Sequence, residues 1–313
     1  MTQTRPPRHR YRDAPVYGWP FYAARRALRG TAGALSAAAD ALATREKYAV
    51  GSLFGPLLPQ NQALRDRHRG RRAFVIGNGP SVAGQDLAPL AGEVTLVMNA
   101  FLRHPLMDLI RPTYYLFADP LYFDGSDSSR RFLADVRDTV RASTFIAPYA
   151  AAPAIRANGW LDPDRTHHVA FAGKLRSARL RDLDLTRTVP HVRSVAQLGI
   201  MLALFAGCSH IYLLGTDHDW LAHRGMERHF YQGLTLPNHP VAHGDQAKHG
   251  YLAEALAIVE LWHGYQALGR LAERRGVQIV NCTDGGFLDV FPRQRYEDVV
   301  DAPVPEPRVA AAA

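Results

Sequence analysis

The 313-residue chain holds only three lysines, Lys47, Lys174 and Lys248, within a Lys+Arg total of 37. Arginine therefore supplies nearly all the positive charge. It suits bidentate contacts to phosphate and carboxylate, although genome composition explains the skew at least as well. Cysteine is almost absent. Cys208 and Cys282 make neither a metal-ligand spacing nor a disulfide framework, which fits a reducing compartment and leaves both as small core residues. No run of about 18 or more apolar residues occurs, so no membrane-spanning helix is expected. The N-terminus is basic at Arg5, Arg8, His9, Arg10 and Arg12 but lacks the apolar stretch of a signal peptide, so the expected location is the cytoplasm. No compact Lys/Arg cluster interleaved with aromatics lies beyond that arm, so nucleic acid is not an expected partner despite a net charge of +8. No internal repeat is visible.

What is present is a chain with 47% hydrophobic residues, enough to bury a large core. Its most informative stretch is 73–81, Ala-Phe-Val-Ile-Gly-Asn-Gly-Pro-Ser. A β-rich apolar run feeds into a glycine turn and a helix start with Pro80 as first helical residue, so backbone N–H groups are expected to face a bound anion. The turn is not the dinucleotide fingerprint. The third glycine position is Val82, and the following strand ends in Asn99 instead of an acidic residue. No Lys-Ser or Lys-Thr follows, so it is not a phosphate-binding P-loop either. A nucleotide with few phosphates suits what remains.

Along the chain, strands are expected at Phe74–Ile76, Val94–Met98 and Tyr114–Phe117, ending in Gly77, Asn99 and Asp119. Such ends gather on one rim of an open α/β sheet. A helix is expected over 127–141, a strand at Thr144–Ala147, and a short strand or loop at His168–Phe171. The Arg-rich stretch 173–193 reads as an acceptor-binding or lid segment, or as a solvated charged loop. Ser194 and Gln197 form a Ser-x-x-Gln capping box, an apolar helix follows, and Gly207 is a ready stop. The strand Ile211–Leu214 ends in Gly-Thr-Asp-His-Asp-Trp, residues 215–220. Residues 222–250 hold His223, His229, His239, His243 and His249 and read as a long active-site loop or lid. A long helix over 251–275 and a last strand, Val277–Val280, complete an α/β, doubly wound, mostly parallel arrangement. The expected domains are a basic N-terminal arm with a helix (1–62), one catalytic domain (63–300) and a disordered tail (301–313). In the arm, Tyr17, Trp19, Phe21 and Tyr22 precede Arg25, Arg26, Arg29 and many alanines. That helix either lies on an anionic inner membrane or packs on the domain.

Four motifs, across roughly residues 70–290, resemble the family 42 bacterial sialyltransferase-like glycosyltransferases and their relatives grouped as domain of unknown function 115. Those relatives include motility-associated glycosyltransferases and 6-hydroxymethylpterin diphosphokinases. The motifs are Gly77-Asn78-Gly79-Pro80-Ser81; Met98-Asn99-Ala100-Phe101; Phe117-Ala118-Asp119-Pro120; and Ser194 with the helix leading to Ile211 through Gly215-Thr216-Asp217. The resemblance implies a Rossmann-like domain in which Asn78, Gly79 and Ser81 meet the phosphate and ribose of a cytidine monophosphate sugar. Asn99 helps to bind the nucleotide, and Tyr231 resembles the tyrosines that hold the leaving phosphate, or packs beneath the lid. Asp119 stands where the sialyltransferases carry an Asn. Its charge would repel a sugar acid unless arginines offset it, so another donor sugar, or a metal at Asp119, stays open.

Transfer requires a base for the acceptor hydroxyl, and histidine fits neutral pH. The resemblance points to the loop before the last long helix, which offers His249 first and His243 second. His263 lies on the helix itself, where a partly buried histidine is the commoner outcome. Asp217 and Asp219 form an Asp-x-Asp pair that suits Mn²⁺ or Mg²⁺, or else caps a strand-end turn. His218, His229 and Asp219 make a weaker zinc candidate. The expected function is transfer of a sugar from a nucleotide-activated donor to a cell-surface glycan or lipid-linked acceptor, with no obligatory metal. The alternatives are a pterin-type diphosphokinase using ATP and Mg²⁺, with Asp119, Asp217 and Asp219 as ligands, and a nucleotide-sensing protein without catalysis.

Overall fold

The computed structural model describes residues 57–175, 183–223, 226, 228–231 and 250–303, together with Ala24, Ala27, Leu28, Thr31, Leu35 and Ala38. The chain divides into two units, Met1–Ala49 and Val50–Ala313. In the first, the six described residues are helical and exposed, and the Thr31 hydroxyl donates to the Leu28 carbonyl at 2.9 Å.

The second unit is built on a parallel sheet. Its strands are β1 (Arg72–Ile76), β2 (Val94–Met98), β3 (Tyr114–Leu116), β4 (Thr144–Pro148), β5 (Thr166–Val169), β8 (His210–Leu214) and β9 (Gln278–Asn281), in the order β5-β4-β3-β2-β1-β8-β9. Every pairing is parallel. The chain steps outward from β1 to β5, then returns to the far side of β1 for β8 and β9. The order therefore reverses between β1 and β8, which is where open sheets of this kind bind ligands.

Burial explains the parallel arrangement. All five residues of β1, β2 and β8 are buried, so the centre of the sheet needs cover on both faces. On one face Ala73 and Val75 pack with α4 (Val195–Phe205) and α5 (Tyr251–Arg274). On the other, Phe74 and Ile76 join a cluster that includes Phe132 of α2 (Asp127–Thr139), Ile155 of α3 (Ala152–Asn158) and Tyr296 of α6 (Tyr296–Val300). A short α1 (Met107–Ile110) precedes β3. The expected α/β, doubly wound, parallel architecture is the observed one.

Helix α4 shows how local sequence sets the packing. A Cβ at Gly199 would stand 2.7 Å from Val75 Cγ1, so its absence lets the helix lie directly on β1. Gly207 ends the helix in the left-handed region at φ +78°. There Cys208 N–H donates to Ala203 O and Gly207 N–H to Leu204 O, the paired bonds of a Schellman stop. The expected capping box is modified. Ser194 Oγ accepts from Ala196 N–H at 3.2 Å, while Gln197 Oε1 accepts from Arg193 N–H at 2.8 Å and its Nε2 donates to Leu261 O of α5 at 2.9 Å. Gln197 thus ties the two helices together. Gly264 makes room for it, because a Cβ there would meet Gln197 Nε2 at 2.4 Å.

Two segments take a more specific form than expected. Pro80 opens a 3₁₀ segment, Pro80–Gly84, instead of an α-helix. The stretch His168–Phe171 is broken at Ala170: β5 ends at Val169, and β6 (Phe171–Lys174) leaves the main sheet to pair with β7 (Val189–His191). Among the described residues no helix is long and apolar enough to cross a membrane. Both cysteines are buried and free, and burial pushes their thiols up to about 12. The expected lid at 222–250 and the tail lie mostly outside the described residues, as do His239, His243 and His249.

Candidate functional site

In a parallel sheet the strand ends share one rim, so the residues following β1, β2 and β8 come together. Their main chains meet first. Gly77 N–H donates to Leu214 O at 2.8 Å and Gly79 N–H to Gly215 O at 2.9 Å. A Cβ at Gly77 would lie 2.3 Å from Gly215 O, and one at Gly215 would lie 2.8 Å from Gly77 O. Only paired glycines permit that approach.

Asp217 then closes on the turn. Its carboxylate accepts from the Ser81 hydroxyl at 2.8 Å and from the Ser81 N–H at 3.3 Å, and it fills the space above Gly79. Burial raises the pKa of this group, the Ser81 bonds pull it back down, and the nearby Asp219 charge raises it further. The expectation that the turn offers free N–H groups to an anion is therefore corrected at Gly77, Gly79 and Ser81, whose donors are taken within the protein. Asp219 diverges from Asp217 and pairs with Arg228, with His223 Nε2 at 3.5 Å. The Asp-x-Asp residues thus face different protein partners. Among the described residues no group of three or more His, Cys, Asp or Glu side chains is placed to hold a metal ion.

The turn keeps unsatisfied acceptors instead. Asn78 is buried, and its Nδ2 donates to Met98 O at 3.0 Å, which fixes the amide and leaves Oδ1 sealed from solvent with no donor. Asn99 follows β2 in the left-handed region at φ +52°. Its carbonyl accepts from the Tyr115 hydroxyl, and its Oδ1 too is buried without a partner. Two orphaned side-chain oxygens on neighbouring strand ends are costly unless something donates to them, on the order of 1–3 kcal/mol each. Phe230 N–H docks on Asn78 O at 3.0 Å and brings Tyr231 to the same end of the sheet, stacked on His229 with ring centres 4.9 Å apart.

The remaining expected residues are placed differently. Asp119 caps its own turn, accepting from Leu121 N–H at 2.9 Å. It lies two strands from β1, about 10 Å at the usual strand spacing. Thr216 N–H donates to Thr283 Oγ1 at 3.1 Å, so Thr216 braces the loop after β9. Ser194 caps α4, its hydroxyl accepting from Ala196 N–H. His263 is exposed on α5, not the partly buried residue expected there. His218 is expected only as a weak zinc candidate. It adopts φ +48°, its Nε2 lies 2.7 Å from the Tyr265 hydroxyl, and burial holds the imidazole down to about 4. The hint in the sequence is a histidine four residues past a buried strand, though Tyr265, 47 positions away, carries none.

No protein-family model matches the chain, and no curated protein matches it. Among solved structures it is similar to the sialyltransferase CstII from Campylobacter jejuni in complex with the substrate analogue cytidine-5'-monophosphate. The TM-score is 0.43 at 12% identity, covering 72% of this chain and 85% of that one. The fold assignment rests on the strand order itself.

Proposed function

We propose that the chain is a glycosyltransferase that takes a sugar from a nucleotide-activated donor, with cytidine monophosphate as the leaving group. The observation that carries this reading is the pair of buried, donorless oxygens, Asn78 Oδ1 and Asn99 Oδ1, beside the point where strand order reverses. Ribose hydroxyls and the exocyclic amine of a cytosine are donors of the kind those acceptors lack. Asp217 already holds the Ser81 donors, so the nucleotide is left Asn78 Oδ1 and Asn99 Oδ1, which it reaches once the cover over these buried atoms moves aside.

In this reading a histidine of the 243–249 segment, His249 or His243, takes the acceptor hydroxyl proton. The acceptor oxygen attacks the anomeric carbon and the nucleotide departs with the bonding electrons, general base catalysis being worth roughly 10²–10⁴-fold. The acceptor is a cell-surface or lipid-linked glycan. The reading needs no obligatory metal, since Asp217 and Asp219 serve Ser81 and Arg228.

Thermal shift tests it directly. CMP and CDP are expected to raise the melting temperature without added metal. Stabilisation by ATP with Mg²⁺ alone would replace this reading with the diphosphokinase. Stabilisation by CMP without donor turnover would leave a nucleotide-binding protein.

A further inference from the structure

We propose that His218, Trp220 and Trp262 form a subsite for the pyranose ring of the acceptor. Its role in transfer rests on the glycosyltransferase reading; its capacity to bind a sugar does not. His218 directly follows Asp217, which braces the Ser81 turn, so the subsite begins one residue, about 3.8 Å of backbone, from the nucleotide end of the crevice.

The histidine is held in place. A non-glycine residue in the left-handed region costs on the order of 1–2 kcal/mol. The ring is anchored through Nε2, which lies 2.7 Å from the Tyr265 hydroxyl. Tyr265 is fully buried, so that anchor is fixed. Nδ1 has no partner among the described residues and is not a sealed atom. If Tyr265 donates to Nε2, Nδ1 carries the proton; if Nε2 donates, Nδ1 accepts. A sugar hydroxyl is donor and acceptor at once and matches either tautomer. Burial keeps the ring uncharged at neutral pH, which suits a neutral polar ligand.

Two indoles flank the imidazole ring. Trp220 meets His218 edge to face with ring centres 5.3 Å apart, and Trp262 does so at 6.1 Å. Trp262 Nε1–H donates to Asp289 Oδ1 at 2.8 Å, which fixes its plane. Trp220 remains 40% exposed although it is among the largest apolar side chains of the molecule. A packing cluster would bury it. A sugar ring has an apolar C–H face and a polar hydroxyl rim, and rigid aromatic surface beside one neutral polar group is complementary to both.

Tryptophan fluorescence of the full chain, titrated with methyl glucoside, galactoside, mannoside and N-acetylglucosaminide with and without CMP, tests the proposal. A saturable change with at least one glycoside is expected in the millimolar range. It should be weakened about tenfold or more in Trp220→Ala, largely restored in Trp220→Phe, and weakened in His218→Asn, with circular dichroism confirming the fold of each variant. No saturable change under either condition, or an unaltered titration in Trp220→Ala, overturns it. Absence of a CMP thermal shift in the wild-type protein is the failure of the transferase reading and leaves the titration to be judged alone.

Discussion

Asp217 and Ser81 stand 136 positions apart in the chain and are joined by two hydrogen bonds, so the loop after β8 grips the turn after β1. Removing the carboxylate with Asp217→Ala strands both Ser81 donors and is expected to cost about 1–3 kcal/mol in urea denaturation. Ser81→Ala should cost less, and the double variant should show coupling of about 1 kcal/mol or more. Additive losses would mean that the two residues do not act as a pair.

The glycines differ sharply in what they tolerate. Gly77→Ala drives a methyl to within 2.3 Å of the Gly215 carbonyl oxygen, a main-chain atom with nowhere to go. Gly84→Ala meets nothing within 4 Å. The first is expected to lose about 2–4 kcal/mol and the second to stay within about 0.5 kcal/mol of wild type. Equal melting temperatures for the two would contradict the close approach of the strand ends.

Asn99→Gly separates binding from stability. Glycine suits φ +52°, and the substitution deletes a buried oxygen that has no donor. The melting temperature of the free protein should therefore change by no more than about 2 °C, while most of the CMP-induced shift disappears. A full CMP shift in this variant would remove Asn99 from the nucleotide site.

Acid should destabilise the fold through histidine. Burial lowers His168 and His218 from 6.5 to about 4. A depressed folded-state pKa means that the unfolded chain binds the proton first. The stabilising contribution is complete above pH 6.5 and is lost as pH falls from there to about 4, at up to ~1.4 kcal/mol per pH unit for each group. Asp217, shifted upward, acts in the opposite sense: it favours the fold at low pH and ceases to do so as pH rises through its folded value. Both ring nitrogens of His168 are buried without partners, so His168→Leu should raise stability at pH 5 and flatten the profile. A steeper acid transition in that variant would refute this.

The central sheet was legible because its signals are local. Val94–Met98 is apolar except for the β-branched Thr95 and is bounded by polar residues, and its strand matches residue for residue. Gly207 after an apolar helix gave the stop that the structure uses. What escaped depends on contacts across the chain. Nothing near Pro80 announces that Asp217 occupies the donors of Ser81, and Gln197 looked like a capping residue when half of its amide serves α5. The same holds for His218, whose anchor is one phenol on a distant helix.

Gly77 and Gly215 bring main chain against main chain at the base of the crevice, and that has a consequence for how the protein can change. A floor without side chains offers mutation nothing to modify and no slack to absorb an addition. Altered preference must therefore arise on the walls, at Asn78, Asn99 and the indoles, while the glycine pair acts as a fixed datum from which every bound atom is measured.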